Sequence, residues 1–270
     1  MKKLRKHLKI DLPILNKWLK ANKISLNASK TEYLIFRNPK KMINFDLKLK
    51  LDGHKLIPSK YVKYLGVLID PLLNWSYHVN LLAPKLSRAI GMLSKIRHYV
   101  DQYVLRDIYF AIFSSLMCYG AQAWAQVDNQ HIKRITKLQD KAIKVINFEP
   151  YEDPPSSYYK KSSLLKFQDT IRIQNFIFVH DNINRRLPYP LLNQFEYIKE
   201  NSPHDTRIAK KLCVKLQKCR TINYGLKSIC GNASRSFNSL QVHLEKDQLH
   251  TKSRNICKNV ITSYIIDTYE

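Results

Sequence analysis

Past Pro71–Asn74 the hydrophobic period of this chain turns from alternating to helical, and that change restricts the folds open to it. Before it, Phe45, Leu47, Leu49 and Leu51 alternate with polar residues, Asp52-Gly53 supplies a two-residue turn, and Lys55 to Ile57 returns, the pattern of a hairpin. Tyr33 to Phe36 reads as a strand. Tyr61 to Asp70 reads as another, β-branched and aromatic, whose single glycine, Gly66, marks a bulge or a close approach of another backbone or a ligand. An amphipathic helix precedes these strands, with Leu8, Leu12, Leu15 and Leu19 at helical spacing and Trp18 beside them. After the change the apolar residues recur every three to four positions. Val79, Leu82, Leu86, Ile90 and Leu93 mark one helix; Leu105, Ile108, Ile112, Leu116 and Tyr119 a second, starting near Asp101; Ile132, Ile135, Leu138, Ala142 and Val145 a third. Three helices with short connections imply a bundle.

The expected fold is therefore α+β: a helix with antiparallel strands and a hairpin, followed by a mainly helical bundle and a helical C-terminal region. Residues 1–70 form the first part and 71–149 the bundle. Residues 150–157 form a linker, because Pro150, Pro154 and Pro155 break both helices and sheet ladders. Residues 158–270 form a basic C-terminal region in which Leu164 to Asn182 reads as a helix, with Leu164, Ile171 and Phe178 on one stripe.

Charge narrows the function. Lys and Arg number 46 against 21 Asp and Glu, a net +25, spread along the whole length. A field of that sign draws in polyanions: nucleic acid, an anionic membrane surface or acidic protein. The hydrophobic share of 44% is that of a folded chain. The five cysteines, Cys118, Cys213, Cys219, Cys230 and Cys257, include no CxxC and fit no zinc-ligand spacing, so they read as free thiols of a reducing compartment. No apolar stretch approaches the ~18–20 residues that span a bilayer, and the basic Met1–Lys9 segment lacks the continuous apolar core of a signal peptide. The expected location is the cytoplasm or the nucleus, neither secreted nor in a membrane.

Catalytic constellations are missing. Polymerases hold two Mg²⁺ ions about 3.5–4 Å apart on aspartates that converge from neighbouring strands. This sequence has no Asp-Asp pair; Glu152-Asp153, its nearest approach, lies in the proline-rich linker. Its six glycines are spaced neither as GxxxxGK nor as GxGxxG, and there is no HExxH or Ser/His/Asp set.

The ordered motifs do point to one family. Leu15-Asn16-Lys17-Trp18-Leu19, then Leu26-Asn27-Ala28-Ser29-Lys30-Thr31 and Phe36, resemble the helix, turn and strand that follow the catalytic aspartate hairpin in reverse transcriptases of non-LTR (LINE-type) retrotransposons. Lys63-Tyr64-Leu65-Gly66 with Asp70 is similar to the family's primer grip, and Trp75 and His78 to the opening of its thumb. Tyr119-Gly120 with Trp124, and Leu138-Gln139 with Ala142, resemble thumb helices. His204-Asp205-Thr206-Arg207, Arg220-Thr221, Tyr224-Gly225 and Ser236-Phe237-Asn238 resemble the C-terminal region of some of these elements.

The resemblance implies the end of a palm, a thumb and a C-terminal region of an RNA-directed DNA polymerase whose catalytic palm is absent from this sequence. It implies that Lys30 lies near the incoming triphosphate and protonates pyrophosphate. Gly66 would admit the primer backbone, with Lys63 and Tyr64 on its phosphate or sugar, and Lys85, Arg88, Lys95 and Arg97 would follow the template-primer duplex. RNA and DNA are the implied partners, with neither a membrane nor a small-molecule substrate. Mg²⁺ belongs to the complete parent enzyme, and no cofactor is expected for this chain. Polymerisation by the chain alone is not expected. The alternatives are a non-catalytic nucleic-acid-binding protein and a degenerate, non-functional fragment.

Overall fold

A computed structural model describes residues 2–27, 30–38, 47–126, 129–148, 156–198, 213–221, 225, 227–244 and 249–269. Phe45, the proline-rich segment 149–155, His204 to Arg207 and Tyr224 lie outside the described residues. The fold is α+β and dominated by helices. The chain divides into two compact units, Met1–Val79 and Asn80–Glu270.

In the first unit, α1 (Lys2–Ala21) is followed by β1 (Glu32–Tyr33), β2 (Lys50–Leu51), β3 (His54–Lys55), β4 (Ile57–Pro58), β5 (Val62–Tyr64) and β6 (Val67–Ile69). Its core is Leu47, Leu49, Leu51 and Leu56, against which Leu8 and Leu12 of α1 pack together with Leu26, Tyr33 and Ile35. The stripe on α1 is covered only in part: Leu15 and Trp18 are exposed. The β2–β3 hairpin forms where expected, with Asp52 and Gly53 at φ 50° and 80° in the turn. Lys20 and Asn16 of α1 hold the Asp52 carboxylate at 2.8 and 3.2 Å. β1 and β4 pair in parallel, Glu32 opposite Ile57 and Tyr33 opposite Pro58.

Tyr61–Asp70 is not one strand. It folds back on itself, pairing Val62 with Ile69, Lys63 with Leu68 and Tyr64 with Val67. Leu65 and Gly66 are left as a two-residue turn at φ 45° and 86°, a left-handed geometry that a glycine adopts without penalty and a leucine does not. The glycine read as a bulge is thus the second corner of a hairpin.

The hairpin is clasped at its base. The Asp70 carboxylate, 2% exposed, accepts backbone N–H bonds from Leu72 (2.9 Å), Asn74 (3.1 Å) and Trp75 (2.9 Å). These bonds curl residues 71–75 into a tight turn with Leu73 and Trp75 at positive φ, and Asn74 Oδ1 then accepts the Ser76 N–H (3.0 Å) that opens α2 (Ser76–Ile96). Buried His78, in the first turn of α2, accepts the Leu68 N–H on Nδ1 at 3.4 Å, and Tyr77 packs on Tyr61 with ring centres 4.8 Å apart. Asp70, Trp75 and His78 therefore shape the joint between hairpin and helix.

In the second unit, α3 (Gln102–Ile108), capped by Asp101, continues through a π-helical segment (Tyr109–Ser114) into α4 (Ser115–Cys118). The expected stripe fails here for a physical reason. The wide π turn brings residues four apart into line, so Leu105, Tyr109, Phe113 and Met117 are buried, whereas Leu116 and Tyr119 are exposed. Next come α5 (Ala121–Trp124) and α6 (Asn129–Asn147). Gly120, at φ 59°, turns the chain between α4 and α5, and Trp124 donates to the Tyr119 carbonyl (3.0 Å) while stacking on Phe167 at 5.6 Å.

After α7 (Ser156–Lys161) comes α8 (Phe167–Ile183), which packs against α5, α6, α10 (Ile229–His243) and α11 (Arg254–Asp267). It is buried on several sides rather than on the one stripe expected from sequence, with Ile171, Ile173, Phe176, Ile177 and Val179 all covered. Buried Gln139 of α6 ties the parts together. Its Nε2 donates to the Tyr109 hydroxyl (3.0 Å) and the Leu165 carbonyl (2.9 Å), and its Oε1 accepts the Phe167 N–H (2.7 Å) at the start of α8. Short α9 (Tyr189–Leu192) and the pair β7 (Tyr197–Ile198) and β8 (Cys213–Val214) complete the unit. Of the C-terminal motif, Phe237 stacks on Phe176 at 4.9 Å and Asn238 exchanges two hydrogen bonds with the Val214 backbone (2.8 and 2.9 Å).

Two stability predictions follow from these hubs. Asp70→Ala strands several backbone donors and should lower stability by about 3 kcal/mol, with loss of near-ultraviolet circular dichroism from the aromatic joint. Gln139→Leu keeps the volume but leaves the Tyr109 hydroxyl and two backbone groups unsatisfied; urea unfolding should show a loss of about 2–4 kcal/mol.

Candidate nucleic-acid interface

The hairpin tip presents an exposed cation and exposed apolar surface together. Lys63 is exposed, Tyr64 is 63% exposed and Leu65 72%, beside exposed Gly66. A ring held this far out of a core is suited to stacking on a base or sugar, and a neighbouring ammonium suits a phosphate. The Asp70 clasp fixes the base of the hairpin, so these groups sit on an ordered support.

Lys30 is exposed as well. Its backbone N–H closes a turn on the Asn27 carbonyl (3.1 Å) and Asn27 Oδ1 (3.2 Å), just ahead of β1. The geometry accounts for the backbone of Lys30 and leaves its ammonium at the surface.

On α2, Lys85, Arg88 and Lys95 line one shallow groove with Gly91, Met92 and Leu116. Spacings of three and four residues put Lys85, Arg88, Met92 and Lys95 on one helix face. Among the described residues no carboxylate lines this groove. Its apolar wall is Met92, 47% exposed, and Leu116, the residue that the π turn of the neighbouring helix moves out of the core. Met92 was accessible to sequence reasoning through its spacing from Arg88. Leu116 was not, because its exposure depends on the π segment. Arg97 stands apart from this set: it lies beyond the end of α2, with its guanidinium 5.9 Å from the centre of the Phe148 ring and Nε 3.4 Å from His98 Nε2.

Three carboxylates of the first unit are occupied by groups of the chain itself. Asp70 is enclosed by backbone N–H groups, Asp52 is held by Lys20 and Asn16, and Glu32 accepts from the Ser59 hydroxyl at 2.7 Å. No group of three His, Cys, Asp or Glu among the described residues is arranged to hold a metal ion. Burial pushes the Cys118, Cys230 and Cys257 thiols up, away from the reactive thiolate form. Among the described residues no helix is long and apolar enough to cross a membrane.

Comparison with known proteins gives two relatives, both from Drosophila melanogaster. The chain is 27% identical over 135 residues to the probable RNA-directed DNA polymerase from transposon X-element, a match that takes in 48% of this chain and 14% of that protein. It is 27% identical over 127 residues to the probable RNA-directed DNA polymerase from transposon BS, covering 42% of this chain and 14% of the relative. No protein-family model matches the chain, and no solved structure matches it. The chain is thus similar to a short part of these transposon RNA-directed DNA polymerases and spans about 14% of their length.

Proposed function

We propose that this chain is a nucleic-acid-holding segment of a non-LTR retrotransposon reverse transcriptase, combining a primer-grip hairpin with a thumb-like face that follows the template-primer duplex. The observation that carries this reading is the acid-free groove in which Lys85, Arg88 and Lys95 converge on one face of α2. An RNA·DNA duplex is bound by shape and backbone charge when its sequence must not matter, and such a face offers charge without a base-reading pattern. The exposed Lys63-Tyr64 pair at the hairpin tip supplies a second contact, of the kind that holds a primer strand. The net charge of +25 supports both.

Polymerisation itself is not part of the proposal. The sequence has no adjacent aspartates, and Asp70, Asp52 and Glu32 of the first unit have protein partners. Purified chain with Mg²⁺ should not extend a DNA primer on an RNA template; measurable extension would contradict this assignment.

Binding is tested by fluorescence anisotropy with a short RNA·DNA duplex over a range of salt. Affinity should fall steeply as salt rises, because each neutralised phosphate releases counterion. The triple variant Lys85→Gln/Arg88→Gln/Lys95→Gln should flatten the salt slope by about one unit per cation removed, whereas Arg97→Gln should change it less. A slope unaltered in the triple variant would remove α2 from the interface. Tyr64→Ala should weaken binding by about 1–3 kcal/mol with little change in slope, the mark of stacking rather than charge.

A further inference from the structure

The second unit has another cationic cleft, on α8 and α11 and unrelated to the α2 groove. Arg186, just beyond α8, and Arg254 and Lys258 on α11 line it together with Asp181, Gln122 and Gln174. We infer that this cleft is a phosphate-binding site.

Three observations lead there. The first concerns the helix field. Arg254 is the first residue of the 14-residue α11 and Lys258 lies one turn on, while the first turn contains no acid. The N-terminal end of a helix carries partial positive charge and favours acidic side chains, so two cations there repel the helix and each other. A bound anion would reverse the sign of that balance.

The second concerns the single carboxylate. Asp181 is buried, 7% exposed, and reaches Arg254 Nη1 at 3.6 Å, Arg186 Nη1 at 4.0 Å and, on its inner side, Nδ1 of buried His180 at 3.6 Å. All three distances exceed hydrogen-bonding range, and among the described residues Asp181 Oδ1 has no hydrogen-bond partner. The carboxylate therefore draws the two guanidinium groups to one side of the cleft without consuming their N–H donors. One acid against three cations leaves the cleft positive.

The third is the chemistry of the donors. Two planar guanidinium forks and an ammonium around one opening match the tetrahedral oxygens of a phosphate better than a lone carboxylate or a chloride. The Gln122 amide, held by its Nε2 donation to the Gln174 carbonyl at 2.8 Å, forms a polar wall. The phosphate is that of a nucleic-acid chain or a free phosphate, and the two sources share this recognition.

The test uses the full chain. Inorganic phosphate should raise the melting temperature above that in chloride of equal ionic strength. The rise should be lost in Arg254→Gln/Lys258→Gln and retained in Lys85→Gln/Arg88→Gln. Because removing Arg254 strips a counter-charge from buried Asp181, Lys258→Gln alone is the second variant; it leaves the Asp181 ion pairs intact and should at least halve the rise. A rise of equal size in wild type and Lys258→Gln, or no rise at all, overturns the inference. Oligonucleotides separate the sources. A preference for a 5′-phosphorylated over an unphosphorylated strand that disappears in Lys258→Gln marks a terminal phosphate. Equal binding of both strands, weakened together by the variant, marks the backbone. Unchanged binding of both, with the phosphate effect retained in wild type, marks a free phosphate. The inorganic-phosphate arm stands whether or not the α2 groove binds nucleic acid, so the two readings fail separately.

Discussion

A single carboxylate organises the first unit. Asp70 gathers the N–H groups of Leu72, Asn74 and Trp75, and through them it ends one hairpin and begins one helix. Without it, residues 71–75 would have to hold Leu73 and Trp75 at positive φ with the buried Trp75 N–H and the half-buried Leu72 and Asn74 N–H groups unmatched. Hydrogen bonds from neutral backbone to an ionised acceptor are stronger than those between neutral groups, so this residue does what a short loop of ordinary composition could not. The exposed Lys63-Tyr64-Leu65 tip is the consequence. A hairpin anchored at its base can carry an apolar, aromatic end in water, where a free loop would collapse onto the nearest core.

The second unit is governed by a buried polar residue and a wide helical turn. Gln139 binds the π segment to the start of α8, and the π segment in turn sets which residues of α3 and α4 face inward. Burying Tyr109, Phe113 and Met117 turns Leu116 outward, where it forms part of the wall beside Lys85, Arg88 and Lys95. The groove thus results from the core on the other side of the same helix. Fully satisfied buried polar groups fix one packing among several of similar hydrophobic content, and Gln139, with its donor and acceptor groups both used, is such a group.

Much of this was legible in the sequence because it depends on local periodicity and turn chemistry. Asp52-Gly53 forecast its hairpin, the second stripe forecast a helix starting near Asp101, and Val79, Leu82, Leu86, Ile90 and Leu93 are all buried along α2. Lys85, Arg88 and Lys95 were brought together because helical spacing alone decides it. The failures come from geometry that composition does not encode. Tyr61–Asp70 reads as one strand because its residues are β-branched and aromatic, and a left-handed corner at Leu65-Gly66 leaves no mark in that composition. The stripe on Leu105 to Tyr119 slipped because a π turn leaves no mark in a three-to-four repeat. Arg97 separated from its expected companions because the helix ends before it. The cleft of Arg186, Arg254 and Lys258 joins distant parts of the chain, and no motif predicted it.

The central claim is that the hairpin tip and the α2 groove both touch nucleic acid. Photocrosslinking tests it directly, with an RNA·DNA duplex carrying a photoreactive pyrimidine and the adducts read by mass spectrometry. The account predicts adducts on Tyr64 and on Met92 or its neighbours within Lys85–Lys95, both suppressed by unlabelled duplex. Adducts confined to other segments, with neither Tyr64 nor the α2 peptide modified, would contradict it.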